Sequence, residues 1–164
     1  MEYRMDDQAL NASIFLSFVN RIWPGEYDMD QTQTALSKTL NITAYDDKVL
    51  VGCLRILSDG YYFGTITELL VLPEYQKRGI GSRLLQLARD NTPTMLYFGA
   101  KPGVEAFYEK NGCQRGLQSY TITRRDRHYN FSLTRHVIYS ARKCRVWFFH
   151  TLHFSFLWTP GFGV

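Results

Sequence analysis

The stretch Leu69-Leu70-Val71-Leu72-Pro73-Glu74-Tyr75-Gln76-Lys77-Arg78-Gly79-Ile80-Gly81-Ser82 constrains this chain more than any other. Its apolar start suits a buried strand and stops at a proline, which has no N–H for a ladder. A short loop then leads through two glycines and a serine into the helical pattern Arg83–Asp90. The N–H groups at such a helix start have no intrahelical partner, and the helix dipole favours negative charge there. Glycines also let main chain approach an anion closely, so the element suits phosphate oxygens. The competing reading is a tight strand-to-helix turn with a glycine packed against the sheet. The loop lacks the Lys-Ser/Thr ending of a Walker A motif and misses the glycine spacing of a dinucleotide fingerprint, which excludes those two classes.

A second segment, Val104-Glu105-Ala106-Phe107-Tyr108-Glu109-Lys110-Asn111-Gly112-Cys113, reads as a helix stopped by glycine. Together, Gln76-x-x-Gly79-x-Gly81 and Phe107-Tyr108-Glu109-Lys110-x-Gly112 resemble the GNAT superfamily of acetyltransferases, over about residues 1–125. Many members carry an Asn about seven positions before the tyrosine. Lys101 stands there in this chain, so no contact of that Asn is carried over.

The resemblance implies an α/β GNAT fold: a central mixed, mostly antiparallel sheet with two splayed parallel strands and helices on both faces. It implies acetyl-coenzyme A as co-substrate, no metal, and a small-molecule amine as acceptor. The pantetheine arm would pair with main-chain groups of Leu70, Val71 and Leu72, with the Val71 N–H polarising the thioester carbonyl. The pyrophosphate would rest on the N–H groups of Gln76, Lys77, Arg78, Gly79, Ile80, Gly81 and Ser82. The Lys77 and Arg78 side chains either add charge at the rim or are ordinary solvated cations.

Acyl transfer needs a neutral amine, a polarised carbonyl and a protonated leaving thiol, and a ternary complex supplies rate by proximity. The resemblance makes Tyr108 the general acid: a phenol of reference pKa about 10 is well matched to a thiol of about 8.5. The other role open to Tyr108 is packing on an amphipathic helix. Glu68 is the candidate base acting through water, a carboxylate partly desolvated in an otherwise apolar strand; its alternative role is to satisfy nearby donors. The four histidines all lie beyond residue 125.

Hydrophobic periodicity predicts a strand at Glu2–Met5, a helix at Ala9–Ile22 and a second helix capped by Asp30 and running to about Leu40. A hairpin follows from Asn41–Tyr45 and Val49–Leu57, then strands at Thr65–Leu72, Thr94–Phe98 and near Gln118–Thr123 around the two motif helices. Helices alternating with strands predict a sheet covered on both faces. The aromatic turn Asp59–Thr65 could line an acceptor slot, with Phe15, Phe18 and Trp23 as the opposite wall; equally, these rings serve as core.

Residues 1–125 hold 14 basic and 14 acidic side chains, so the formal charge of +4 belongs entirely to residues 126–164. That neutrality argues against nucleic acid as a partner. Three cysteines without metal-ligand spacing suggest neither disulfides nor zinc, and a reducing, cytoplasmic setting. Neither a signal-peptide pattern nor an apolar run of about 18 residues is present, so no integral membrane span is expected. The atypical basic and aromatic tail 126–164 has three readings: an extra strand or homodimerisation element, a peripheral membrane attachment, or read-through sequence without a selected structure, which is favoured. Two function classes remain. The leading one is an acetyl-coenzyme A-dependent N-acetyltransferase without a covalent acyl-enzyme; the alternative is a non-catalytic acyl-coenzyme A sensor or interaction module.

Overall fold

A computed structural model describes residues 1–116 and Ser119. The strand expected near Gln118–Thr123 and the tail 126–164 therefore lie outside the described residues, apart from Ser119. Within them the order is β1 (Glu2–Arg4), α1 (Ala12–Ile22), α2 (Met29–Leu36), β2 (Leu40–Asp46), β3 (Val49–Ser58), β4 (Gly64–Val71), a 3-10 turn (Pro73–Tyr75), α3 (Ile80–Asn91), β5 (Leu96–Tyr97) and α4 (Glu105–Lys110). The five strands form one sheet in sequence order.

Local chemistry accounts for most boundaries. Asn11 caps α1 by accepting from the Ile14 N–H at 2.9 Å, and Phe15, Leu16, Phe18 and Val19 form its buried stripe. The cap of α2 is Asp28, whose Oδ1 accepts from the Gln31 N–H at 2.7 Å. This corrects the expected Asp30 cap: Asp30 stands in the first turn, where it complements the helix dipole. The helix also ends earlier than expected, because Leu40 already belongs to β2. Asp47, at φ 53°, helps turn β2 into β3.

Pairing is antiparallel from β1 to β4 and parallel between β4 and β5. The parallel ladder has two partner pairs, Gly64↔Leu96 and Thr65↔Tyr97. β5 is thus shorter than the expected Thr94–Phe98. Beyond Thr65 the edge of β4 has no strand partner among the described residues on that side.

Helices cover both faces. On β3, Gly52 and Arg55 are an odd number of residues apart and point to opposite sides. A Cβ at Gly52 would lie 2.9 Å from Ile80 Cγ2, so α3 packs tightly on that face. Arg55 lies over the Phe15 ring of α1 on the other. Ile42, Val51, Leu54, Ile56, Leu72 and Leu84 sit in the fully buried centre. One buried polar cluster crosses it: Thr43 and Tyr45 hydroxyls both donate to Asp7 Oδ2 at 2.9 Å.

Candidate active site

After β4, Gln76 is extended, Lys77 turns to φ 61° and Gly79 to φ 81°, where it caps α3 without a side-chain bond. Left-handed residues interleaved with right-handed ones turn successive N–H groups toward one concavity. Among the described residues no acceptor takes the N–H groups of Lys77 through Ser82, whereas Gln76 N–H bonds to Pro73 O at 3.3 Å. A Cβ at Gly79 would meet nothing within 4 Å among the described residues, which leave the space before the loop open. Gly81 differs. Its Cβ would stand 3.2 Å from Phe107 Cζ, which makes it the close-packing glycine of the pair. Close packing therefore describes Gly81, against the α4 ring more than against the sheet, and does not describe Gly79.

The Gln76 side chain donates to Val71 O at 3.1 Å and ties the loop to the end of β4. Tyr75 ties it to β2 by donating to Asp46 Oδ2 at 3.0 Å. Lys77 and Arg78 are exposed; the Arg78 guanidinium lies 4.9 Å from the Tyr75 ring centroid. Ile80 is buried against Gly52, so only its main chain faces the concavity.

The edge of β4 corrects part of the sequence reading. Leu72 N–H donates to Val51 O at 2.9 Å and Leu72 O accepts from Tyr75 N–H at 2.9 Å, so both main-chain groups are committed. Alternation along an antiparallel ladder turns Leu70, in register with Cys53, toward β3 as well. Val71 and Leu69 then turn their N–H and C=O groups to the open edge, where the Val71 carbonyl already accepts from Gln76. Leu69 was missed because a one-residue choice of register is invisible in an apolar run.

Glu68 lies on this strand directly after Thr67, where the β3–β4 register shifts: Arg55 pairs Glu68, and Ile56 pairs Ile66. Such a bulge bends a strand and re-aims the side chain beside it. Glu68 is not a lone carboxylate. Arg55 Nη1 donates to its Oε1 at 2.7 Å, with side chains 11% and 15% exposed. Arg55 carries no motif in sequence; only the cross-strand register brings it to Glu68.

Phe107 on Gly81 seats α4 against the head of α3. The next residue, Tyr108, stacks at a tilt on Phe98 just after β5, with centroids 4.8 Å apart. Tyr108 therefore stands between the anion loop and the exit of β5, half-buried, with no partner for its hydroxyl among the described residues. Burial first, and then the Cys113 thiol, pushes its phenol above the ordinary value.

The proposed walls behave differently. Phe15 and Phe18 are core residues, 5% and 3% exposed, so of the two roles open to them they take the core one. Trp23 remains partly buried, with Lys101 Nζ 4.9 Å from its ring centroid, and Arg21 pairs with Glu74. The end of α1 thus reaches the connections that follow both β4 and β5. Tyr61 and Tyr62 are 75% and 82% exposed on a turn organised by Asp59, whose Oδ1 accepts from three successive N–H groups at 2.9 Å. That turn precedes β4, at the opposite end from the anion loop.

An open strand edge thus leads into a run of N–H groups without acceptors among the described residues. Residues 38–114 match the family model described as the acetyltransferase (GNAT) domain. No curated protein matches the chain. Solved structures similar to it include a GNAT-family acetyltransferase from Streptococcus pneumoniae (22% identity, 76% of this chain and 98% of that one, TM-score 0.64). A second is described as a putative acetyltransferase from Deinococcus radiodurans (20% identity, 76% and 87%, TM-score 0.61). A third is AAC(6′)-Iy in complex with the bisubstrate analogue CoA-S-monomethyl-acetylneamine (13% identity, 76% and 97%, TM-score 0.58). At these identities the likenesses establish the GNAT fold. Among the described residues there is no cluster of metal-ligating side chains, and no helix is long and apolar enough to cross a membrane.

Proposed function

We propose that residues 1–125 form a domain that transfers the acetyl group of acetyl-coenzyme A directly to a small amine within a ternary complex. The observation that carries this reading is the continuity of the open β4 edge with the free N–H groups of Lys77–Ser82. Pyrophosphate binds on that loop, and Lys77 and Arg78 add charge at its rim. The pantetheine arm extends the sheet along Leu69 and Val71, and the Val71 N–H polarises the carbonyl.

The amine nitrogen attacks the thioester carbon, and the carbon–sulfur bond of the resulting tetrahedral species breaks. Tyr108 gives its proton to the departing thiolate while Glu68 takes the amine's proton through water; solvent then returns a proton to the phenolate. The raised phenol value keeps Tyr108 protonated through the neutral range.

Calorimetric titration with acetyl-coenzyme A, desulfo-coenzyme A and ATP tests the carrier. Micromolar binding confined to the two coenzyme A compounds is expected. Thiol release with tyramine, spermidine and neamine then tests transfer. A folded protein that binds none of the three nucleotides overturns the reading.

A further inference from the structure

We propose that Arg55 is the positioning residue of the acceptor half of this site: it fixes Glu68 in one orientation and leaves Oε2 as the oxygen that receives the amine's proton. The proposal rests on the reading of Glu68 as base and adds a residue to it.

The geometry is specific. Arg55 and Glu68 are register partners across β3 and β4. One guanidinium nitrogen, Nη1, holds Glu68 Oε1 at 2.7 Å. The rest of the fork is anchored elsewhere: Nε donates to Thr39 Oγ1 at 3.2 Å, Nη2 to Ala35 O at 3.4 Å, and the plane lies 5.2 Å from the Phe15 centroid. Arg55 is thus held by α1, α2 and the turn before β2. A planar fork with several donors keeps its direction where a lysine would swing.

Glu68 Oε2 has no hydrogen-bond partner among the described residues, and the bulge at Thr67 immediately precedes it. An ion pair through one oxygen restrains the carboxylate from rotating and leaves Oε2 as the oxygen open to a bridging water. Among the described residues the buried Cys53 thiol of β3 is a titratable group close to the pair. From α1 comes the uncharged Phe15 ring, from α2 the Ala35 carbonyl, and from the following turn the Thr39 hydroxyl. The proton leaves the amine nitrogen during carbon–nitrogen bond formation, crosses the water to Oε2 and is later lost to solvent.

The test uses Arg55→Gln, Arg55→Lys, Glu68→Gln and the double variant Arg55→Gln/Glu68→Gln. Readouts are acetyl-coenzyme A affinity, thiol release with the most active of tyramine, spermidine and neamine, and the pH profile of kcat/KM. Arg55→Gln should lower kcat about tenfold or more and leave acetyl-coenzyme A affinity within about twofold. It should also move the acidic limb upward by about one pH unit. Arg55→Lys should keep the limb in place and recover part of kcat. The Arg55→Gln change should cost little more on the Glu68→Gln background, because the two act as one unit.

An unmoved acidic limb, or additive losses in the double variant, overturns the proposal. Absence of turnover with all three amines would fault the functional reading instead. In that event a carbon-13 NMR titration of the Glu68 carboxyl decides the proposal: an upward-shifted midpoint in Arg55→Gln supports it, and an unshifted one overturns it.

Discussion

At the scale of single residues, Tyr108 and Glu68 illustrate two different relations between motif and surroundings. Tyr108 was recognisable from Phe-Tyr-Glu-Lys-x-Gly, and its neighbours Phe98 and Phe107 supply the burial that raises its phenol. A raised value makes the phenol a weaker acid but keeps it protonated to higher pH. Tyr108→Phe should therefore lower kcat by about 10²-fold or more. Acetyl-coenzyme A affinity should change little. The wild-type alkaline limb due to this group should lie above the ordinary phenol value of about 10. Steady-state kinetics against pH checks both, and an unchanged kcat would remove Tyr108 from the chemistry. Glu68 stands out in sequence as a carboxylate on an apolar strand, but its ion pair with Arg55 does not. Thirteen positions separate the two in sequence, and only antiparallel register places them opposite one another.

At the scale of elements, the loop before α3 divides one glycine motif into two physical requirements. Gly79 needs its positive φ and faces open space; Gly81 needs its missing side chain because Phe107 occupies the neighbouring volume. Gly79→Val should destabilise the fold by about 1–2 kcal/mol from left-handed strain. It should also weaken acetyl-coenzyme A binding by more than tenfold, through a side chain placed in the concavity. Thermal melts and calorimetry on the same variant separate these effects. Unchanged affinity would contradict the loop's assignment. The helices and the hairpin were legible from periodicity and caps, within a few residues. The Asp28 cap was not chosen over Asp30 because both are good cap residues, and only the chain's entry direction distinguishes them.

At the scale of the whole molecule, burial of phenols links stability to pH. Tyr45 is raised by burial and by donating to Asp7; Tyr27 and Tyr108 are raised chiefly by burial. A group raised in the folded state binds its proton more tightly there than when unfolded. Its contribution is complete below the unfolded value and disappears as pH rises through the folded one. The melting temperature should therefore hold through the neutral range and fall as pH rises above about 10. Tyr45→Phe should lower the plateau and flatten that fall; a melting temperature independent of alkaline pH would contradict it. A chain of residues 1–125 is expected to melt cooperatively and bind acetyl-coenzyme A, and loss of its thermal transition would move the domain boundary.

The sequence by itself determined the local pieces: which segments are helix or strand, where two glycines lead a loop into a helix, and which tyrosine lies on the motif helix. Those properties depend on neighbours within a few residues, through side-chain period, caps and glycine's backbone freedom. Tertiary structure decided what depends on register and on packing between distant segments. It turned Val71 and Leu69 to the open edge and committed Leu72 to β3. It also buried Phe15 and Phe18 in the core and brought Arg55 to Glu68. A slip of one residue in a strand reverses each of its side chains and main-chain groups, and nothing in an apolar run of leucine and valine records which way it faces.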